Sequence, residues 1–70
     1  MWEVRAVAGR VEDLVEFLRV AAHPDAQIYR SAGDEARVVV IDPTGEGVLD
    51  VPGHLIAGPA HSWPFELVDR

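Results

Sequence analysis

Three histidines, His23, His54 and His61, are the residues of this 70-residue chain with the widest chemical repertoire. Asp50 stands four positions before His54, and His61 follows seven later, so the three invite comparison with a metal site. A zinc centre takes three or four such ligands at a recurring spacing on a rigid frame. Two histidines and one aspartate strung through a Gly- and Pro-rich stretch match no such spacing, and no metal is expected. His23 is accounted for as the last residue before Pro24. Ser31, Thr44 and Ser62 supply hydroxyls, but a hydroxyl nucleophile needs a His base and an orienting carboxylate. The adjacency of His61 and Ser62 does not make a dyad, and no Gly-x-Ser-x-Gly elbow occurs. Gly45-Glu46-Gly47 lacks the lysine and following helix of a phosphate loop and reads as a turn. Glu12, Asp13 and Glu16 lie on the solvent side of a helix, where carboxylates keep a face hydrated. No catalytic residue, metal or cofactor is therefore assigned.

The aromatic residues are more informative. Trp2 and Trp63 each begin a terminal strand on the apolar parity, and each is large for so small a core. Their first reading is as core or interface anchors. The functional reading is that Trp2, Tyr29 and Trp63 line a small apolar pocket and bind a ligand.

The elements that must hold these residues follow from periodicity. Residues 2–8 alternate Trp2, Val4, Ala6 against Glu3, Arg5, Val7, the period of a half-buried strand. Gly9 breaks the pattern, and Val11, Leu14, Val15, Leu18, Ala21 and Ala22 then form the stripe of an amphipathic helix over 11–22. Glu12 and Asp13 suit its positive end, and Pro24 stops it. Phe17 lies off the stripe and flanks the core. Two β-rich runs, 27–31 and 36–42, surround the Gly33 turn and read as a hairpin. The second run carries Val38, Val39, Val40 and Ile41 in succession, apolar on both faces as in a strand covered on both sides. Residues 43–62 are punctuated too closely by Pro43, Gly45, Gly47, Pro52, Gly53, Gly58 and Pro59 for a second helix. They are expected to form ordered loop with some strand character. A last strand is expected over 62–68, with Pro64 confining it to an edge.

These elements give a single α+β domain over residues 1–70: a small βαββ-β antiparallel or mixed sheet, with one helix packed on one face. One helix covers one face. The other carries Val7, Tyr29, Val39, Ile41 and Val68 in one assignment of parity, and it must meet the Gly/Pro segment, a second subunit, or both. Val39, Ile41 and Val68 are accordingly the residues assigned to self-association.

Composition narrows the partners. A domain of 70 residues buries only about 60% of its unfolded surface, and without cysteine it has no disulfide or zinc-thiolate staple. Oligomerisation, most simply a homodimer, is the expected source of further burial. Twelve acidic residues against six arginines, with no lysine, give a net charge of -6. That opposes phosphate backbones and anionic lipid, so neither nucleic acid nor membrane is an expected partner. No apolar run approaches the eighteen residues of a membrane span. The N-terminal residues lack the basic and apolar regions of a secretory signal, so a cytoplasmic setting is expected. Frequent Ala, Val, Gly, Arg and Asp without Lys or Asn is the pattern of a GC-rich coding sequence.

The first strand, the Gly9-opened helix with Glu12, Leu14 and Leu18, and the hairpin from Ile28-Tyr29-Arg30-Ser31 to Arg37-Val38-Val39-Val40-Ile41 resemble the ferredoxin-like dimeric α/β-barrel family. That family includes the antibiotic-biosynthesis-type monooxygenases, and the resemblance covers residues 1–42 and 63–68. It implies a ferredoxin-like sheet that faces a second copy across a dimer. The chain departs from the family at 43–62, where a second helix would stand, and no catalytic motif of the family maps onto it. Two functions are thus expected in order: a non-enzymatic, self-associating interaction or accessory domain, open to a further protein partner, and then a dimeric aromatic-ligand binder or cofactor-independent monooxygenase-like enzyme.

Overall fold

The computed structural model describes residues 1–33, 35–45, 47–48, 50–64 and 68. Its elements are β1 (Trp2–Arg5), α1 (Val11–Ala21), β2 (Gln27–Arg30), β3 (Arg37–Ile41), a single 3₁₀ turn (Gly53–Leu55) and β4 (His61–Ser62). The strands form one sheet in the order β2-β3-β1-β4, with every neighbouring pair antiparallel. This is a small ferredoxin-like α+β arrangement with one helix against the sheet. β1 and β2 run in the same direction but are separated by β3, so the crossover through α1 skips one strand.

β1 is shorter than its alternation suggests because the chain must turn into the helix. Arg10 N–H donates to the Val7 carbonyl at 2.9 Å, and Gly9 adopts φ +80 inside that turn. A positive φ at the third position of a tight turn is where glycine is favoured. α1 then carries Glu12 and Asp13 in its first turn and Arg19 in its last, matching the sign of the helix dipole at each end. Arg10 Nη1 also meets Asp13 Oδ2 at 3.1 Å. The helix stops at Ala22, whose backbone is extended (ψ 157) immediately ahead of His23-Pro24. Arg30 of β2 pairs with Glu12 of α1, a surface ion pair contributing at most about 1 kcal/mol.

Leu14, Val15 and Leu18 face the sheet and meet Trp2, Val4, Val38 and Val40 from its near side. The register Val40↔Trp2 and Val40↔Ile28 places these residues in one cross-strand row. Phe17 packs at the margin of this core. Each fully buried Leu or Val contributes about 1.5–3 kcal/mol of transfer free energy.

The Gly/Pro-rich segment joins the helix side of the sheet. Val48 and Leu55 are buried in the same core as Leu14 and Leu18, with Val51 and Ile56 packed against it. Its buried apolar residues thus lie on the helix side, while Ala57, Gly58 and Pro59 border a small recess with Glu3, Arg5 and Arg37 on the second face. Backbone bonds hold the segment to the end of β1: Val7 N–H donates to Leu55 O at 2.9 Å and Ala57 N–H to Arg5 O at 2.8 Å. A bridge links Ala6 with Ile56. Edge pairing with β1 thus begins near residue 56, bends out around 58–60 and resumes at His61–Ser62. The last strand expected over 62–68 is instead the short pair His61–Ser62: Trp63, Pro64 and Val68 lie in no strand, and Phe65, Glu66 and Leu67 lie outside the described residues.

Candidate functional site

Among the described residues, two places stand out as surface for recognition. The first is the face of the sheet turned away from α1. Side chains alternate along a strand, so with Trp2, Val4, Val38 and Val40 inward, Glu3, Arg5, Arg37, Val39 and Ile41 point outward. Tyr29 lies directly across from Val39, and Gln27 across from Ile41. Tyr29 is 51% exposed and Ile41 42%, and Val39 between them is half-buried. Arg5 stands opposite Arg37, a like-charge pair that would be unfavourable alone. Glu3 relieves it, accepting from Arg37 Nε at 2.9 Å. His61 flanks Glu3 on the other side. The pairing groups Val39 and Ile41 with Tyr29, and Val68 is exposed.

The second place is a pocket of about 840 Å³ at the end of the sheet, with Trp2, Ile41, Asp42, Thr44, Gly47 and Trp63 in its lining. Backbone bonds set Trp63 opposite Met1, beside Trp2 in the sheet but on the other strand parity: Trp63 N–H donates to Met1 O at 2.8 Å, and the Met1 ammonium donates to Trp63 O at 2.6 Å. Trp2 is 5% exposed and forms part of the core, whereas Trp63 is 44% exposed, with the His61 ring 6.2 Å from its own. Of the three aromatic residues assigned to a ligand, Trp2 and Trp63 share this pocket. Tyr29 is absent from its lining and sits on the outward parity of the sheet instead.

The pocket's loop is organised by Asp42, a residue that sequence reasoning passed over. Asp42-Pro43-Thr44-Gly45 is a tight turn, with Gly45 N–H donating to Asp42 O at 3.0 Å. Asp42 Oδ1 accepts both the Thr44 N–H at 2.8 Å and the Thr44 hydroxyl at 2.6 Å. The signal was available, since Asp, Pro and Gly occupy the first, second and fourth positions that such turns favour. Asp42 Oδ2 is buried without a hydrogen-bond partner among the described residues. Gly47, at φ +70, approaches so closely that a Cβ on it would lie 3.5 Å from Trp2 Cδ1.

The Thr44 hydroxyl bond is the main cause that holds the Asp42 carboxyl below its ordinary 3.8, with smaller help from the Thr44 and Gly47 N–H groups and the His23 imidazole, against a desolvation that raises it. A lowered folded-state pKa adds stability that is present above the unfolded value and is lost as pH falls through the folded one. Carboxyl NMR is expected to find Asp42 titrating below 3.8, and Asp42→Asn to flatten the acid limb of the stability curve. A midpoint at or above that value would refute the arrangement.

The remaining candidates do not converge. Among the described residues, no group of three His, Asp or Glu is placed to hold a metal ion, so Asp50, His54 and His61 are not gathered into a centre. Ser31 Oγ accepts the Arg37 N–H at 3.1 Å, which pins the hairpin. His23 Nδ1 accepts the Asp25 N–H at 3.1 Å, in keeping with a role at the helix end. Glu16 meets Arg19 on the exposed side of α1. Glu46 lies outside the described residues. No described helix is long and apolar enough to cross a membrane. No family model, curated protein or solved structure matches this chain.

Proposed function

We propose that this domain is a non-enzymatic interaction or accessory module that pairs with a second copy of itself through the open face of its sheet. The observation that carries the reading is the strip of Tyr29, Val39 and Ile41 on the face opposite α1, with Tyr29 and Ile41 open to solvent. A two-fold interface sets a patch against itself and must be self-complementary. This face qualifies, because its apolar strip is bordered by Glu3, Arg5 and Arg37, one acid and two bases on a chain of net charge -6. There two such acidic chains can approach without adding to their net repulsion. A cytoplasmic setting suits a chain that relies on no disulfide.

Light scattering after size exclusion, over a range of concentrations, should give twice 7.7 kDa. Tyr29→Glu should return the mass to that of a monomer while keeping the fold, since substitutions at exposed positions change stability by only about 0.5 kcal/mol. A wild-type monomer at every concentration would remove the basis for the reading, and a dimer untouched by Tyr29→Glu would move the interface elsewhere.

A second reading rests on the pocket. That the exposed Trp63 ring shares its lining with Trp2 and Ile41 favours binding of a small aromatic molecule, whose ring would lie against indole and aliphatic surface.

A further inference from the structure

We propose that the pocket lined by Trp2, Asp42 and Trp63 selects aromatic amines, holding the ring against the exposed Trp63 indole and drawing the ammonium group toward Asp42. The inference rests on the reading of this pocket as an aromatic site and adds the charge of its ligand. Three observations support it. The lining sets a carboxylate beside two indoles in one recess. Asp42 Oδ1 accepts twice from Thr44, whereas Oδ2 is buried and has no partner at hydrogen-bond geometry among the described residues, the Gly47 N–H adding only a minor pull on the carboxyl. A buried acceptor without a partner is a group that an incoming donor satisfies. Trp63 also presents an exposed ring, and indole is the side chain that attracts a cation most strongly over its face.

The opposite sign of ligand is disfavoured. An anion would approach a chain of net charge -6 and meet the Asp42 carboxylate. The Met1 ammonium also lines the recess, but one of its protons is already given to Trp63 O at 2.6 Å. A neutral aromatic would gain the ring contacts alone.

The test is a titration of the full chain followed by ¹H–¹⁵N correlation spectra, using phenethylamine, benzyl alcohol and phenylacetate at matched concentrations and neutral pH. Saturable shifts are expected at both indole N–H groups and at the Thr44 and Gly47 amides. Phenethylamine should bind at least about tenfold more tightly than phenylacetate, a difference of about 1.4 kcal/mol. Asp42→Asn keeps an oxygen to accept from Thr44 and should collapse that difference. Trp63→Leu, at an exposed position, should weaken all three compounds. Equal binding of the three, or tighter binding of phenylacetate, would overturn the charge selection while leaving an aromatic pocket. The absence of saturable shifts with any of them would overturn the pocket reading as well. Binding unaffected by Trp63→Leu would place the ring elsewhere and end the proposal.

Discussion

Replacing Leu14 by alanine is expected to destabilise the domain by about 3 kcal/mol, the middle of the range for deleting a fully buried leucine side chain. Leu14 has no exposed surface and sits where α1 meets the sheet, so its truncation leaves a cavity inside the core. A domain of this length holds about 4–10 kcal/mol in total. The loss therefore removes a third or more of the stability and should lower Tm by roughly 12–24 °C. Thermal and urea unfolding followed by circular dichroism, at one fixed protein concentration so that self-association does not shift the comparison, would measure it. Val20→Ala is the control, because Val20 lies on the same helix but is 88% exposed. If the two substitutions cost the same, α1 is not packed against the sheet as described.

Trp2→Ala should be more damaging still, at about 3–5 kcal/mol, enough to leave the chain partly unfolded at room temperature. Trp2 stands between Val40 and Ser62 on a strand paired along both edges, with Gly47 close over its ring. The two tryptophans also have opposite environments, and their emission reports it. Trp63→Phe, which leaves only the buried indole, should emit at short wavelength, whereas Trp2→Phe, which leaves only the exposed one, should emit near the wavelength of indole in water. Matching spectra from the two variants would contradict the burial of Trp2.

The sequence made α1 legible because its code is local. Val11, Leu14, Val15 and Leu18 repeat at the helical period, and Pro24 fixes the end. The parity of β3 was legible for a related reason: Val38 and Val40 share one face with Trp2 and Val4, which leaves Val39 and Ile41 on the other. What stayed hidden depended on non-local contacts. Nothing periodic in residues 43–57 says that Val48 and Leu55 turn toward α1, since Pro and Gly set where the chain bends and not which surface it bends toward. Trp2 and Trp63 were singled out by size, but their place in one pocket lining depends on a backbone pairing between Met1 and Trp63. Tyr29 was grouped with them by side-chain chemistry alone, and the alternation of β2 turned it to the opposite side. Asp42 was missed because its role is to close a turn, and turn residues carry no periodicity to draw attention to them.

The placement of β1 between β3 and β4 has a consequence for how the chain reaches this state. β2 and β3 are joined by a short turn and can pair within microseconds, as local hairpins do. β1 has no sequence neighbour in the sheet: Trp2 pairs with Val40 on one side and Ser62 on the other. Its docking must close a long loop in each case, at an entropic cost that is met before the contacts form. During synthesis the first strand therefore emerges early and waits with its tryptophan exposed, since neither partner has yet been made. The step that buries Trp2 is then the one that completes the sheet, so its fluorescence would follow the slowest part of folding.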